Sequence, residues 1–224
     1  MGSVTNPPPV IATLSSVGRE LALTGEEATV KEVKAEGFEE DGEKAEMLRA
    51  MRGVILMEKL PPSLKAELHV HQIEGISWMV HMFRKGMPMI LGDQMGLGKT
   101  LQTIGLIAAL RDFHHQSGPY LIVVPLSVLS NWLSEIDRFC PTLRAVRFHG
   151  PRSERERIKY EELNDASNFD VVVTTFEMLV SESNFFKRKH VWTLVVVGAP
   201  FCIFFSYYSP HFVYAPCLKM RAIV

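Results

Sequence analysis

Only three cysteines, Cys140, Cys202 and Cys217, occur in 224 residues, and no two form a C-x-x-C pair. That pattern excludes a disulfide framework and a structural zinc ribbon, and it favours a reducing compartment. The chain also lacks a charge excess: 24 Lys and Arg stand against 25 Asp and Glu, for a net charge of −1. A balanced chain has no overall attraction for nucleic acid or anionic membrane, so any nucleic-acid contact must be a local patch. Met1 to Val10 has no basic stretch followed by an apolar one, so no signal peptide is expected. No internal repeat is visible. Between His190 and Lys219 there is no Asp, Glu, Lys or Arg. That length could suit a membrane span, but Pro200, Pro210 and Pro216 with interspersed Ser and Tyr argue against one.

What is present is an ample apolar content, 47% of residues. Residues 1–42 read as a disordered acidic arm: Pro7-Pro8-Pro9 blocks regular ladders, and from Glu26 to Glu46 acids far outnumber Lys31, Lys34 and Lys44. Residues 43–63 read as a linker. Met47, Leu48, Met51, Val54, Ile55 and Leu56 suggest one amphipathic helix over 43–60, ended by Pro61-Pro62. From residue 64 the pattern becomes regular. Helices are expected over 68–84, 99–112, 127–139, 153–163 and 176–186, and strands over 87–91, 120–124, 144–149, 170–174 and 192–197. The strands are continuous Val/Ile/Leu runs of the kind buried on both faces. Such alternation with short connections predicts an α/β fold, a mainly parallel sheet flanked by helices.

The richest segment is Gly92-Asp93-Gln94-Met95-Gly96-Leu97-Gly98-Lys99-Thr100, set between the apolar run 87–91 and a helical pattern. A strand, a glycine-rich turn and a helix start, in that order, make a phosphate-binding loop. Asp93 stands where the strict G-x-x-x-x-G-K-[ST] pattern has glycine, so this is a D-x-M-G-x-G-K-T variant. Lys99 would reach the β- and γ-phosphates, and the Thr100 hydroxyl would hold Mg²⁺. A P-loop kinase of small molecules would suit the loop alone, but not the blocks that follow it.

Those blocks occur in a telling order: Leu68 to Trp78 with Gln72; Gly92 to Thr100 followed by Leu101-Gln102-Thr103-Ile104; Gly118 to Pro125 with Ser127 and Asn131-Trp132; Phe148-His149-Gly150; and Val173-Thr174-Thr175-Phe176-Glu177. In that order residues 64–197 resemble the first RecA-like lobe of a Swi/Snf-type chromatin-remodelling ATPase, nearest the imitation-switch group. The resemblance implies a RecA-like P-loop lobe, incomplete at its C-terminal end. It implies ATP and Mg²⁺ as ligands, with Gln72, Asp93, Gln94, Met95, Gly96, Leu97, Gly98, Lys99, Thr100 and Leu101 around the nucleotide and Thr100 on the metal. Gln72 would read the adenine edge, since an amide donates and accepts at once. His69 and His71 stand where the family has a basic and an aromatic residue, and Gln94 where it has Glu. The His pair has no third ligand nearby in sequence and is not read as a metal site.

Ser127, Asn131, Thr174 and Thr175 are the DNA-contact candidates, at the strand ends where a parallel sheet binds ligands. Ser127 could equally N-cap its helix. Trp132 reads as core. The stretch Arg144, Arg147, Arg152, Arg155, Arg157 and Lys159 is either an ion-paired solvated helix face or a DNA-facing patch. Double-stranded DNA, nucleosomes and remodeller subunits are the implied partners, the nucleus the implied location. No membrane and no structural metal are expected.

One part is missing. The family places an Asp-Glu pair directly after a strand like 191–197, where this chain reads Gly198-Ala199-Pro200. Without those carboxylates, Mg²⁺ and the attacking water lose their anchors. Residues 198–224 match nothing in the family and are expected to be a divergent apolar tail, as from a reading that runs out of its coding segment after Val197. The resemblance thus implies an ATP-binding lobe of a DNA translocase with an incomplete catalytic centre, its status as an enzyme open. The alternatives are a non-catalytic interaction protein and a non-functional truncated product.

Overall fold

A computed structural model describes residues 12–14, 57, 59–198 and 202–206. Most of the expected acidic arm and of the linker helix therefore lies outside the described residues.

The expected α/β order is present. A seven-stranded sheet runs β1-β2-β7-β6-β3-β5-β4. Its strands are β1 (Ala12–Leu14), β2 (Met89–Leu91), β3 (Tyr120–Val124), β4 (Ala145–Phe148), β5 (Val171–Thr175), β6 (Leu194–Gly198) and β7 (Ile203–Ser206). All neighbours pair in parallel except β7, which is antiparallel to both β2 and β6. The helices are α1 (Val70–Arg84), α2 (Lys99–His114), α3 (Leu126–Phe139), α4 (Arg152–Glu161), α5 (Phe176–Ser181) and α6 (Ser183–Arg188).

Alternation along the buried strands divides the core into two layers. Tyr120, Ile122 and Val124 of β3, with Val171, Val173, Leu194 and Val196, pack with α1, α2 and α3. The intervening Leu121, Val123, Val172, Val195 and Val197 pack with Ile158 of α4, Leu179 of α5 and Phe186 of α6. Strands covered on both faces cannot alternate polar and apolar residues, which is why they read as unbroken Val/Ile/Leu runs. On α3, Leu129, Trp132 and Ile136 form the inward stripe, so Trp132 is core.

Three differences from the expected elements have physical causes. The helix expected over 176–186 is two helices meeting at Glu182, whose backbone leaves the helical region at φ −108°, ψ 27°. Its carboxylate is held from α4 by Arg155 Nε and Lys159 Nζ, each at 2.8 Å. The last parallel strand starts at Leu194, not 192, because Trp192 turns its indole N–H to Phe186 O at 2.8 Å and fills the α5–α6 side. The tail joins the sheet: Ile203 pairs with Leu91 and Gly198, and Phe205 with Met89 and Val196. Ile203 and Phe205 are buried among the α1–α3 layer, which gives this segment a reason to be there. In addition, residues 12–14 of the expected arm pair with β2 at the sheet edge. Among the described residues no helix is long and apolar enough to cross a membrane.

Candidate nucleotide-binding site

β2 ends at Leu91 and α2 begins at Lys99, so residues 92–98 form the loop between a buried strand and a helix N-terminus. Two glycines shape it. Gly96 has φ 90°, and Gly98, the residue before the helix, sits in the left-handed region at φ 74°, ψ 38°. Other residues pay about 1–2 kcal/mol for that conformation. Gly98 is also required by space, since a Cβ there would lie 2.5 Å from Gln72 Nε2.

Lys99 Nζ donates to Asp93 O at 2.8 Å and Gln94 O at 3.0 Å, folding its ammonium into the concave side of the loop. Asp93 is buried, and its Oδ2 accepts from Gln102 Nε2 at 2.8 Å. A carboxylate beside a phosphate site is thus turned beneath the loop, where it braces the turn against α2. Gln94 and Met95 are exposed at the tip, Leu97 is half-buried, and Thr100 and Leu101 are half-buried in the first turn of α2.

The Leu97 carbonyl is the junction of the site. Gln72 Nε2 lies 3.3 Å from it, Gln102 Nε2 3.4 Å and His71 Nε2 3.4 Å. Gln72 Oε1 in turn accepts from the His69 backbone N–H at 3.0 Å. The amide placed for adenine therefore also ties α1 to the loop, and it keeps one N–H and one lone pair to spare. His69 and His71 stack with ring centroids 5.6 Å apart and planes 9° from parallel. Gln102 carries no role in the sequence reading. Its signal in sequence was a Gln in the first turn after the GKT run; in the fold it is fully buried, and its Oε1 has no partner among the described residues.

These features suit a triphosphate: left-handed glycines open the loop, α2 presents its unpaired N–H groups, and an ammonium lies in the cradle. Divalent-cation anchoring fits less well. Thr100 offers a hydroxyl in the first turn, but β6 ends on Gly198, where a Cβ would come 2.9 Å from Val124 Cγ1. Among the described residues no group of three His, Cys, Asp or Glu could hold a metal ion. The tail adds Cys202 at this edge, next to Ile203, which pairs with both Leu91 and Gly198. Burial pushes the Cys202 thiol up, against the opposing charge of Lys99.

The DNA-contact candidates divide. Ser127 is exposed at the second position of α3; Pro125 is the N-cap, so Ser127 does not cap the helix with its side chain. Asn131 is exposed and donates to Glu135 Oε1 at 2.7 Å. Thr174 and Thr175 are fully buried. The Thr174 hydroxyl donates to Phe148 O at 2.8 Å, and Thr175 Oγ1 accepts from the Met178 N–H at the start of α5. Neither hydroxyl is presented outward; both shape the strand end instead. Within the basic stretch, Arg155 and Lys159 are committed to Glu182, and Arg157 to Glu154, Glu161 and Glu162. The ion-paired face is what forms there. Arg147 and Arg152 are exposed.

Residues 71–198 match the SNF2-related domain family. The chain is 43% identical over 137 residues to an ISWI chromatin-remodeling complex ATPase of Arabidopsis thaliana, a match covering 61% of this chain and 13% of the relative. It is 36% identical over 161 residues to the SWI/SNF-related matrix-associated actin-dependent regulator of chromatin subfamily A member 1 of Homo sapiens, covering 71% and 15%. Its fold is similar to the Sulfolobus solfataricus SWI2/SNF2 ATPase core solved in complex with dsDNA, with a TM-score of 0.54 and 38% identity over 64% of this chain and 28% of the other. The matched segment thus spans about one-seventh of the length of these curated relatives. On the family match over 71–198, more than half of its length, the chain belongs to the SNF2-related domain family.

Proposed function

We propose that this chain is the ATP-holding lobe of a DNA-dependent translocase of chromatin-remodelling type. The observation that carries the reading is the loop itself: β2 leads through left-handed Gly96 and Gly98 into α2, with the Lys99 ammonium held inside the turn. Asp93, Gln94, Met95, Gly96, Leu97 and Gly98 would cradle the phosphates, Lys99 would turn its ammonium from the loop carbonyls of Asp93 and Gln94 to the β- and γ-phosphates, and Gln72 would read adenine. Thr100 would hold Mg²⁺ through its hydroxyl. Bound there, the cation would neutralise phosphate charge. The functional unit is the lobe 64–197 together with the strand that the tail adds.

Duplex DNA would track along the strand ends, with Ser127 and Asn131 exposed there and Thr174 and Thr175 setting the shape of the edge. Nucleosomes and remodeller subunits would be partners of the longer proteins, and the nucleus their compartment. Hydrolysis by this chain would be weak or absent, because β6 ends on Gly198 with no carboxylate.

The test is titration of a fluorescent ATP analogue against the chain and against Lys99→Ala, alongside ATPase rates with and without duplex DNA. Binding lost in Lys99→Ala, with little turnover, is the expected result. Vigorous DNA-stimulated turnover abolished by Lys99→Ala would overturn the incomplete-site reading. Partner capture unaffected by nucleotide and by Lys99→Ala, with no nucleotide binding, would favour an interaction protein.

A further inference from the structure

The His69–His71 pair is not absorbed by the reading above, yet it touches the phosphate loop. His71 lies in the first turn of α1, half-buried, with His69 stacked on it and its Nε2 3.4 Å from Leu97 O. That contact is a hydrogen bond only when Nε2 carries the proton. We propose that His71 couples nucleotide binding to proton uptake, as a positioning residue that grips the Leu97 carbonyl harder when its ring is charged. The inference rests on the nucleotide reading of the loop.

The surroundings set the sign. His71 sits in the first turn of α1 with the His69 ring stacked on it. Glu74 lies one turn further along α1; burial raises its carboxyl, and the His71 charge lowers it. On the loop, Lys99 and the buried Asp93 are the charged groups, and α2 presents the neutral Gln102. A triphosphate in the loop brings several negative charges to this cluster, which favours the charged ring. Protonation in turn makes the bond to Leu97 O charge-assisted, and such bonds are roughly twice as strong as neutral ones. Three donors compete for that oxygen, and a carbonyl has two lone pairs. A charged His71 therefore relieves Gln72 of its bond to Leu97 and frees its amide for the base. Both effects tighten binding as the pH falls and the ring takes up a proton.

Calorimetric titration of the full chain with an ATP analogue, in two buffers of different ionisation enthalpy between pH 5.5 and 8.5, tests this. The native chain, His71→Phe and His71→Gln are compared. The nucleotide's own phosphate protons are common to all three, so they cancel in the comparison. The native chain should take up an extra fraction of a proton per nucleotide and gain about threefold to tenfold in affinity toward acid pH relative to the variants. His71→Gln, which retains a neutral donor, should match native affinity at pH 8.5 and stay flat relative to it below. His71→Phe should be weaker and equally flat; if it does not fold, His71→Gln carries the comparison. Binding whose pH profile and proton uptake are unaltered in His71→Gln overturns this inference alone. Absence of binding at every pH overturns the nucleotide reading as well.

Discussion

β2 and β6 end at the same edge of the sheet with only β7 between them, and they are finished in opposite ways. After β2 the chain makes a turn with two positive-φ glycines, a buried carboxylate tied to α2 and a lysine folded inward. β6 itself ends on Gly198, with no side chain, paired to Ile203 and close against Val124. One end gathers a lysine and a helix N-terminus, which suit anionic oxygen; the other is closed by an apolar strand. Binding and hydrolysis need different groups from different strand ends, so a lobe can retain the first without the second.

The largest expected effect comes from opening the closed end. Phe205 of β7 is buried against the α1–α3 layer, and Phe205→Ala should cost about 3–5 kcal/mol in chemical denaturation, the usual range for a buried Phe. A loss below about 1 kcal/mol would mean that β7 is not part of the stable sheet. Next, Lys99→Ala removes a charged donor worth about 1.5–3 kcal/mol, so analogue affinity should fall roughly 10- to 100-fold while the melting temperature stays near native. Gly98→Ala attacks the same end through the backbone. The strained φ costs about 1–2 kcal/mol and the new methyl displaces Gln72, so both melting temperature and nucleotide affinity should drop.

Gly198→Asp tests whether the two ends can be made alike. Its Cβ would come 2.9 Å from Val124 Cγ1, with Trp132 Cζ2 and Val123 O at 3.8 Å, so Val124 must give way to admit it. Analogue affinity should gain a Mg²⁺ dependence of about threefold to tenfold over the native chain, as a carboxylate joins Thr100 at the cation. No Mg²⁺ effect would place the β6 end out of reach of the loop.

The smallest effect lies at the far end of the sheet, where Asp170 pairs with Arg144 and touches neither strand end. Burial pushes the Asp170 carboxyl up, but hydrogen bonds from Arg144 outweigh it and hold it below the ordinary range. A lowered folded value means that this stabilisation is complete above the unfolded carboxylate range near about pH 4 and is lost as the pH falls through the folded value. Thermal melts from pH 2 to 7 should therefore decline less steeply for Asp170→Asn than for the native chain below about pH 4. Nucleotide affinity should be unchanged.

Much of the phosphate-loop end was legible in sequence, because glycine, lysine and threonine at fixed spacing act through backbone and charge that any strand–loop–helix would supply. The strand cores were legible too, since burial on both faces leaves only apolar runs. Less legible was whatever depends on a distant partner. Glu182 breaks a helix because Arg155 and Lys159 reach it from α4. Thr174 and Thr175, at a suitable strand end, turn their hydroxyls into the fold. Gln72, Gln102 and His71 converge on one carbonyl that no motif names.

The sequence by itself determined the α/β class, the loop and its lysine, and the absence of carboxylates after β6, because each is a matter of residue type and local order. Only the tertiary structure decided that the tail's Ile203 and Phe205 lie between β2 and β6, that Asp93 is turned beneath the loop, and that His71 shares the Leu97 carbonyl. Those outcomes depend on which surfaces remain uncovered and which lone pairs remain unshared once the strands and helices have packed.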